Sequence, residues 1–193
     1  MLRRTFLLGA AALVAGCAAN GPAKSTGTLS ADYAAGSVSS IVMLPVLNPS
    51  RAAVHQPTLQ SELALAIQEK NKTLRFMATN EAMTRFMTSG DALHPRSFAA
   101  DVFAGKTPDP KDVEAVHAVL GIDAAVVCGY TEPVGGDVDM RIVIVDLRTG
   151  RTIWTGVSRG WKAPKSSQSR FDGSLAQAMK PGLAGLTDLM PAL

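Results

Sequence analysis

The sequence predicts an α/β (α+β) domain, with one mixed sheet that ends in a three-strand antiparallel meander and is packed by about four helices. Three observations predict it. Before Gly121, β-type runs alternate with helical periods, the pattern of strands joined through helices. From Ala124 to Gly160, three β-type runs follow one another with short turns between them. The composition also suits a buried core: 193 residues, 47% hydrophobic and 18% charged. The same balance excludes a disordered chain. No apolar run reaches the roughly 18 residues of a membrane span, which excludes a multi-pass membrane protein. Lys and Arg number 19 against 16 Asp and Glu, a formal charge of +3. Without Arg3 and Arg4, which sit in a leader, 17 remain against 16. Nucleic acid is therefore not an expected partner.

Residues 1–17 read MLRRTFLLGAAALVAGC. Arg3 and Arg4 form a basic start, Phe6 to Ala15 an apolar stretch, and Ala15-Gly16 a small-residue approach to cleavage. This is the order of a secretory signal peptide, and the apolar run is too short for a permanent span. Leu13-Val14-Ala15-Gly16-Cys17 resembles the lipobox of bacterial lipoproteins. The resemblance implies that residues 1–16 are removed and that Cys17, acylated with chains such as palmitate, becomes the mature N-terminus. The chemistry needs a thiol there, because the diacylglycerol is attached through sulfur. Several acyl chains, each contributing about 0.8 kcal/mol per buried CH₂, hold a membrane firmly. By the sorting convention of such lipoproteins, Ala18 in place of an Asp implies the outer membrane. Arg3-Arg4-Thr5-Phe6-Leu7 also resembles a twin-arginine signal, with Leu2 where a polar residue is usual, so the export route stays open. Lipidation of Cys17 leaves Cys128 without an intramolecular partner, and the core alone must stabilise the fold.

Residues 17–39 then read as a lipidated N-terminus and flexible tether, rich in Ala, Gly and Ser, and residues 40–193 as the folded periplasmic domain. Ser40 to Leu47 is a continuous apolar run, suited to a strand covered on both faces, with Pro45 limiting it to an edge or an end. Leu59, Leu63 and Ile67 recur at helical spacing behind Pro57, and Leu74 to Ala78 suits a short strand. Thr79 or Asn80 then caps a helix whose Met83, Phe86 and Met87 form a core stripe. Residues 88–110, with Gly90, Pro95, Gly105, Pro108 and Pro110, read as a long loop or a broken short helix. Asp109-Pro110-Lys111-Asp112 is a helix start; Val113, Val116, His117 and Leu120 form its stripe, and Gly121 ends it. Ala124–Glu132, Asp139–Leu147 and Arg151–Gly160 are the meander, turning at Gly135-Gly136 and at Asp146-Leu147-Arg148-Thr149-Gly150. Leu175, Met179, Leu183, Leu186 and Met190 predict a closing helix in two pieces, broken at Pro181.

That order, behind a lipobox, resembles a group of bacterial envelope lipoproteins. The group includes the penicillin-binding-protein activator lipoproteins, the curli-secretion-channel lipoproteins and the related amino-terminal domain of the Tol translocation protein. The residues that carry the resemblance are Ile41-Val42-Met43-Leu44-Pro45, Leu120 to Val127, Asp146 to Gly150 and Ile153-Trp154-Thr155-Gly156. They cover about residues 38–190 and are chiefly structural. The anchor, the tether and a compact domain without a catalytic constellation imply a non-enzymatic protein held to membrane lipid through Cys17. Such a protein acts as a partner-binding or assembly factor on a periplasmic or outer-membrane protein, with self-association left open. A subunit of an outer-membrane secretion channel is the alternative, although no spare membrane-spanning hairpin of about 9–11 residues per strand is visible.

Few residues of the sequence are arranged for chemistry. His55, His94 and His117 form no short metal-ligand spacing, and no CxxC, P-loop, GxGxxG or GxSxG occurs. No catalytic, cofactor or metal residue is assigned. Cys128 with His117 is the pair that a cysteine-dependent hydrolase would need; a buried thiol and a core histidine is the preferred reading. Glu132, Asp137 and Asp139 around the first meander turn could hold Ca²⁺, but solvated turn charges are preferred. Arg159, Lys162, Lys165 and Arg170 form a basic cluster, read as solvated rather than as a contact for lipid or a partner. Trp154 is read as packing a helix on the sheet rather than as stacking a ligand.

Overall fold

A computed structural model describes residues 24–47, 56–90, 93–131, 137–162 and 174–193. The elements follow in the order β1 (Lys24–Leu29), β2 (Ser40–Met43), α1 (Gln56–Lys70), β3 (Arg75–Met77), α2 (Thr79–Ser89), α3 (Leu93–Ala104), α4 (Pro110–Leu120), β4 (Ala124–Thr131), β5 (Asp137–Asp146), β6 (Thr152–Lys162) and α5 (Ser174–Leu189). The strands form a six-stranded mixed sheet in the order β1-β6-β5-β4-β2-β3. β2 runs parallel to both β3 and β4, and the meander β4-β5-β6 is antiparallel, with Val127 opposite Val143 and Ile144 opposite Trp154.

Topology places the helices. The crossover from β2 to β3 moves one way across the sheet, and the crossover from β3 to β4 moves back over β2. Right-handed connections in opposite directions put their helices on opposite faces. α1 and α5 accordingly share one core, and α2, α3 and α4 the other. β2, β4 and β5 are then covered twice. Ile41, Met43, Val126, Cys128, Ile142 and Ile144 point into the α1–α5 core. Val42, Leu44, Ala125, Val127, Val143 and Val145 point into the α2–α4 core. A strand covered on both faces has no place for alternation, which is why Ser40–Leu47 reads as continuous apolar sequence. Pro45 falls just past β2, and pairing resumes at Leu47, whose N–H donates to Cys128 O (2.8 Å) and whose carbonyl accepts from Tyr130 N (3.2 Å).

The α4 signals are met in detail. Asp109 caps the helix, accepting from Lys111 N at 2.8 Å, and Gly121 ends it in the left-handed conformation. Arg75 and Arg85 donate to Gly121 O and Leu120 O, placing cations at the negative end of the helix. Leu59, Leu63 and Ile67 of α1 are buried. Gly150 turns the β5–β6 hairpin at φ +71°, where Asp146 Oδ1 accepts from Arg148 N (2.8 Å).

Four expectations need correction. The tether does not run to residue 39: Lys24–Leu29 is an edge strand paired along its length with β6, and Val38 is buried. Composition hid this strand because its packing residue is a gap. The Trp154 indole lies over Gly27 and Gly156, and a Cβ at either would stand 3.1 Å or 2.2 Å from the ring. The stretch 88–110 contains a regular helix, α3, so that five helices rather than four are described. Gly90 and Gly105, read as breakers, are left-handed residues just past the ends of α2 and α3, and Phe98, Ala99 and Val102 supply the buried stripe between them. On α2 the stripe is rotated: Thr79, Ala82 and Phe86 are buried, while Met83 and Met87 are 40% and 77% exposed. Thr79 does not cap; its hydroxyl donates to Met43 O (2.8 Å) and so fixes that phase, and Ala78 is the residue before the helix. Finally, α5 is one helix with Pro181 inside it. Met179 and Leu183, on either side of the proline, pack in the same core and hold the segment together.

Candidate functional site

The pair with the strongest claim to chemistry is not a pair. Cys128 lies in the α1–α5 core, whereas His117 is on α4, whose Val113, Val116 and Leu120 pack in the opposite core. The sheet stands between them. Burial pushes the Cys128 thiol up to about 12, so it carries no thiolate at neutral pH. His117 donates from Nδ1 to Ile122 O (3.0 Å), a local bond that braces the turn into β4. Trp154 is buried among Met179, Leu183 and Leu186 of α5, the packing role read from the sequence.

Two polar constellations escaped the sequence reading. His94 Nδ1 meets Asp112 Oδ1 at 2.5 Å, joining α3 to α4 with the carboxylate side chain only 12% exposed. Asp123 Oδ2 accepts from Ser39 N (2.8 Å), Ser39 Oγ (2.6 Å) and Ser40 N (3.1 Å), while Asp123 N donates to Ser40 Oγ (2.9 Å). Burial pushes the Asp123 carboxyl up, but the bonds from Ser39 and Ser40 outweigh it and hold the group below its usual range. Both constellations lock elements together. Among the described residues, no three His, Cys, Asp or Glu side chains converge to hold a metal ion.

A groove offers more. It has a volume of about 520 Å³ and lies between the loop after α3, β5 and the β5–β6 hairpin. Among the described residues, none of β6 or β1 belongs to the α2–α4 core, so the groove opens where that helical layer ends. Its walls carry Arg141, Lys106 and Arg151 together with the hydroxyls of Thr107, Thr149 and Thr152. Arg141 comes from β5, and its Nη1 donates to Phe103 O (3.1 Å) near the C-terminal end of α3. Its Nε is buried without an acceptor. Gly105 makes the room: a Cβ there would stand 2.8 Å from Arg141 Nη1. Gly105 also ends α3 at φ +77°, with Lys106 N donating to Asp101 O (2.9 Å). The sequence held only weak signals of this groove, a lone basic residue in an apolar strand and a Gly-Lys-Thr-Pro loop.

The remaining candidates divide by position. Cys17 with residues 1–16, His55, Glu132, Gly135, Gly136, Lys165 and Arg170 lie outside the described residues. Asp137 pairs in the sheet with Lys162, and Asp139 with Thr131. Arg159 is exposed on β6, opposite Lys24 of β1.

No family model matches the chain, and no curated protein does. Among solved structures it is similar to the PelC dodecamer from Paraburkholderia phytofirmans, with 11% identity over 82% of this chain and 97% of that chain and a TM-score of 0.41. It is also similar to the LpoB C-terminal domain from Salmonella enterica, with 15% identity over 65% of this chain and 86% of that chain and a TM-score of 0.40. The same domain from Escherichia coli has 15% identity, the same coverage and a TM-score of 0.37. Likenesses this distant assign no role to any residue.

Proposed function

We propose that this chain is a non-enzymatic, lipid-anchored lipoprotein whose folded part binds or helps assemble a protein partner on the periplasmic face of the outer membrane. The observation that carries the reading is the Leu13–Cys17 pentapeptide behind Arg3, Arg4 and an apolar run. Six residues separate Cys17 from the first described strand, so a fully extended chain reaches no more than about 24 Å. Acylation at Cys17 would therefore hold the Lys24 end of β1, with Arg159 opposite it, close to the lipid surface. The thiol that an enzyme of this kind would use is buried and lies across the sheet from His117. No described helix is long and apolar enough to cross a membrane.

The test is separation of inner and outer membranes from cells making the full-length protein, followed by crosslinking in whole cells and identification of what is captured. The protein is expected in the outer membrane with a reproducible envelope protein attached. Recovery of the wild-type chain in the soluble fraction would contradict the anchor, and recovery without any crosslinked protein would contradict the partner.

A further inference from the structure

We propose that the groove beside β5 is a binding site for an oxyanion, the carboxylate or phosphate of a small ligand with at least two negative charges. Arg141 is the primary contact and Lys106 and Arg151 flank it. The proposal is independent of the anchor.

The first support is the state of Arg141. Withdrawing a charge from water is costly unless it is paired and hydrogen-bonded. Other basic residues of the domain are served in this way: Arg148 by Asp146 at 2.7 Å, Lys180 by Glu62 at 2.9 Å, and Arg85 by Glu81 at 2.8 Å. Arg141 is half-buried, yet among the described residues no carboxylate pairs with it. Its Nη1 donates to one backbone carbonyl, which does not neutralise the charge. The partial negative charge at the end of α3 offsets only part of a full positive charge. A bound oxyanion supplies the rest, and the planar guanidinium is the group best suited to hold one.

The second support is that the cavity is shaped around this group. The left-handed Gly105 leaves the space that the guanidinium fills. The hydroxyls of Thr107, Thr149 and Thr152 and of Ser30 give neutral donors at the walls. About 520 Å³ falls within the range of small-molecule sites. The carboxylates nearby do not neutralise the flanking cations. Asp32 stands 4.0 Å from Arg151 with the two side chains 81% and 76% exposed, and Asp101 stands 3.8 Å from Lys106, itself 71% exposed. Pairs this open are weak and exchange readily for a better anion.

The test uses the full-length protein in detergent micelles, titrated by calorimetry with inorganic pyrophosphate and with citrate. Titration in the same micelles with short-chain phosphatidic acid, whose phosphomonoester carries up to two negative charges, against short-chain phosphatidylcholine asks whether the oxyanion comes from a lipid headgroup. Saturable binding to a free anion or to the phosphatidic acid, weakening as salt rises, is expected. Arg141→Gln should weaken it by tenfold or more, because it replaces a charged hydrogen-bond donor by a neutral one. Lys72→Ala, at an exposed lysine away from the groove, should leave it unchanged. If Arg141→Gln does not fold, Lys106→Ala with Arg151→Ala decides, because both side chains are exposed and the pair should weaken binding several-fold. No saturable binding to any of these probes, or equal binding by the wild type and the folded groove variants, would overturn the proposal.

Discussion

Cys128 and Asp123 behave oppositely because one is buried without polar company and the other is surrounded by donors. Cys128 is fully buried and its thiol is pushed up to about 12. It should therefore react with iodoacetamide only as fast as the domain opens, and Cys128→Ala should cost about 1–2 kcal/mol in chemical denaturation. Rapid modification of the native protein would show that the thiol is accessible. For Asp123, burial raises the carboxyl and the Ser39 and Ser40 donors lower it further, so its folded value lies below the unfolded one. Asp146 is shifted down as well: burial raises it, and the Arg148 bonds prevail. A depressed carboxyl stabilises the fold at pH above its ordinary value, and that contribution is lost as pH falls through the folded value. Stability should thus decline below about pH 4. Asp123→Asn should flatten that decline and cost about 1 kcal/mol at neutral pH. An unchanged acid limb in the variant would remove Asp123 from this role.

β1, α2 and α3 show what periodicity reveals and what it misses. Central elements were legible because they contribute bulk: Val126 and Val127 or Leu59 and Leu63 announce the faces they bury. β1 was not, because Gly27 contributes a space for Trp154 that no hydrophobic pattern records. A chain beginning at Ser37 lacks the whole register of β1 on β6, together with Tyr33, which packs on the core. Its melting temperature should fall by several degrees relative to a chain beginning at Ala23, at roughly 2–4 °C per kcal/mol for this size. Equal melting of the two chains would show that β1 adds nothing. α3 was hidden by its flanking glycines, which end helices here rather than prevent them. On α2, the spacing of Met83, Phe86 and Met87 fits a helix, but the Thr79–Met43 bond turns Ala82 and Phe86 inward. Phe86→Ala should cost about 3–5 kcal/mol in denaturant unfolding, and Met87→Gln less than about 0.5.

For the molecule as a whole, the sequence was sufficient for a mixed sheet with a terminal meander because covered strands and tight turns leave local marks. The groove was much less legible. Arg141, Lys106 and Arg151 come from β5, the α3–α4 loop and the β5–β6 hairpin, and only the fold brings them together. Fold also separates Cys128 from His117, which lie eleven positions apart in sequence yet on opposite sides of the sheet. Against that background the N-terminal segment carries most of the functional reading, since the proposed lipid attachment rests on contiguous residues. The most direct measurement is metabolic labelling with a clickable palmitate analogue in cells making the full-length chain or its Cys17→Ser variant. The wild type should take up the label and migrate as a processed protein, and the variant should remain an unlabelled precursor. Equal incorporation into both, or none into the wild type, would contradict the anchor at Cys17.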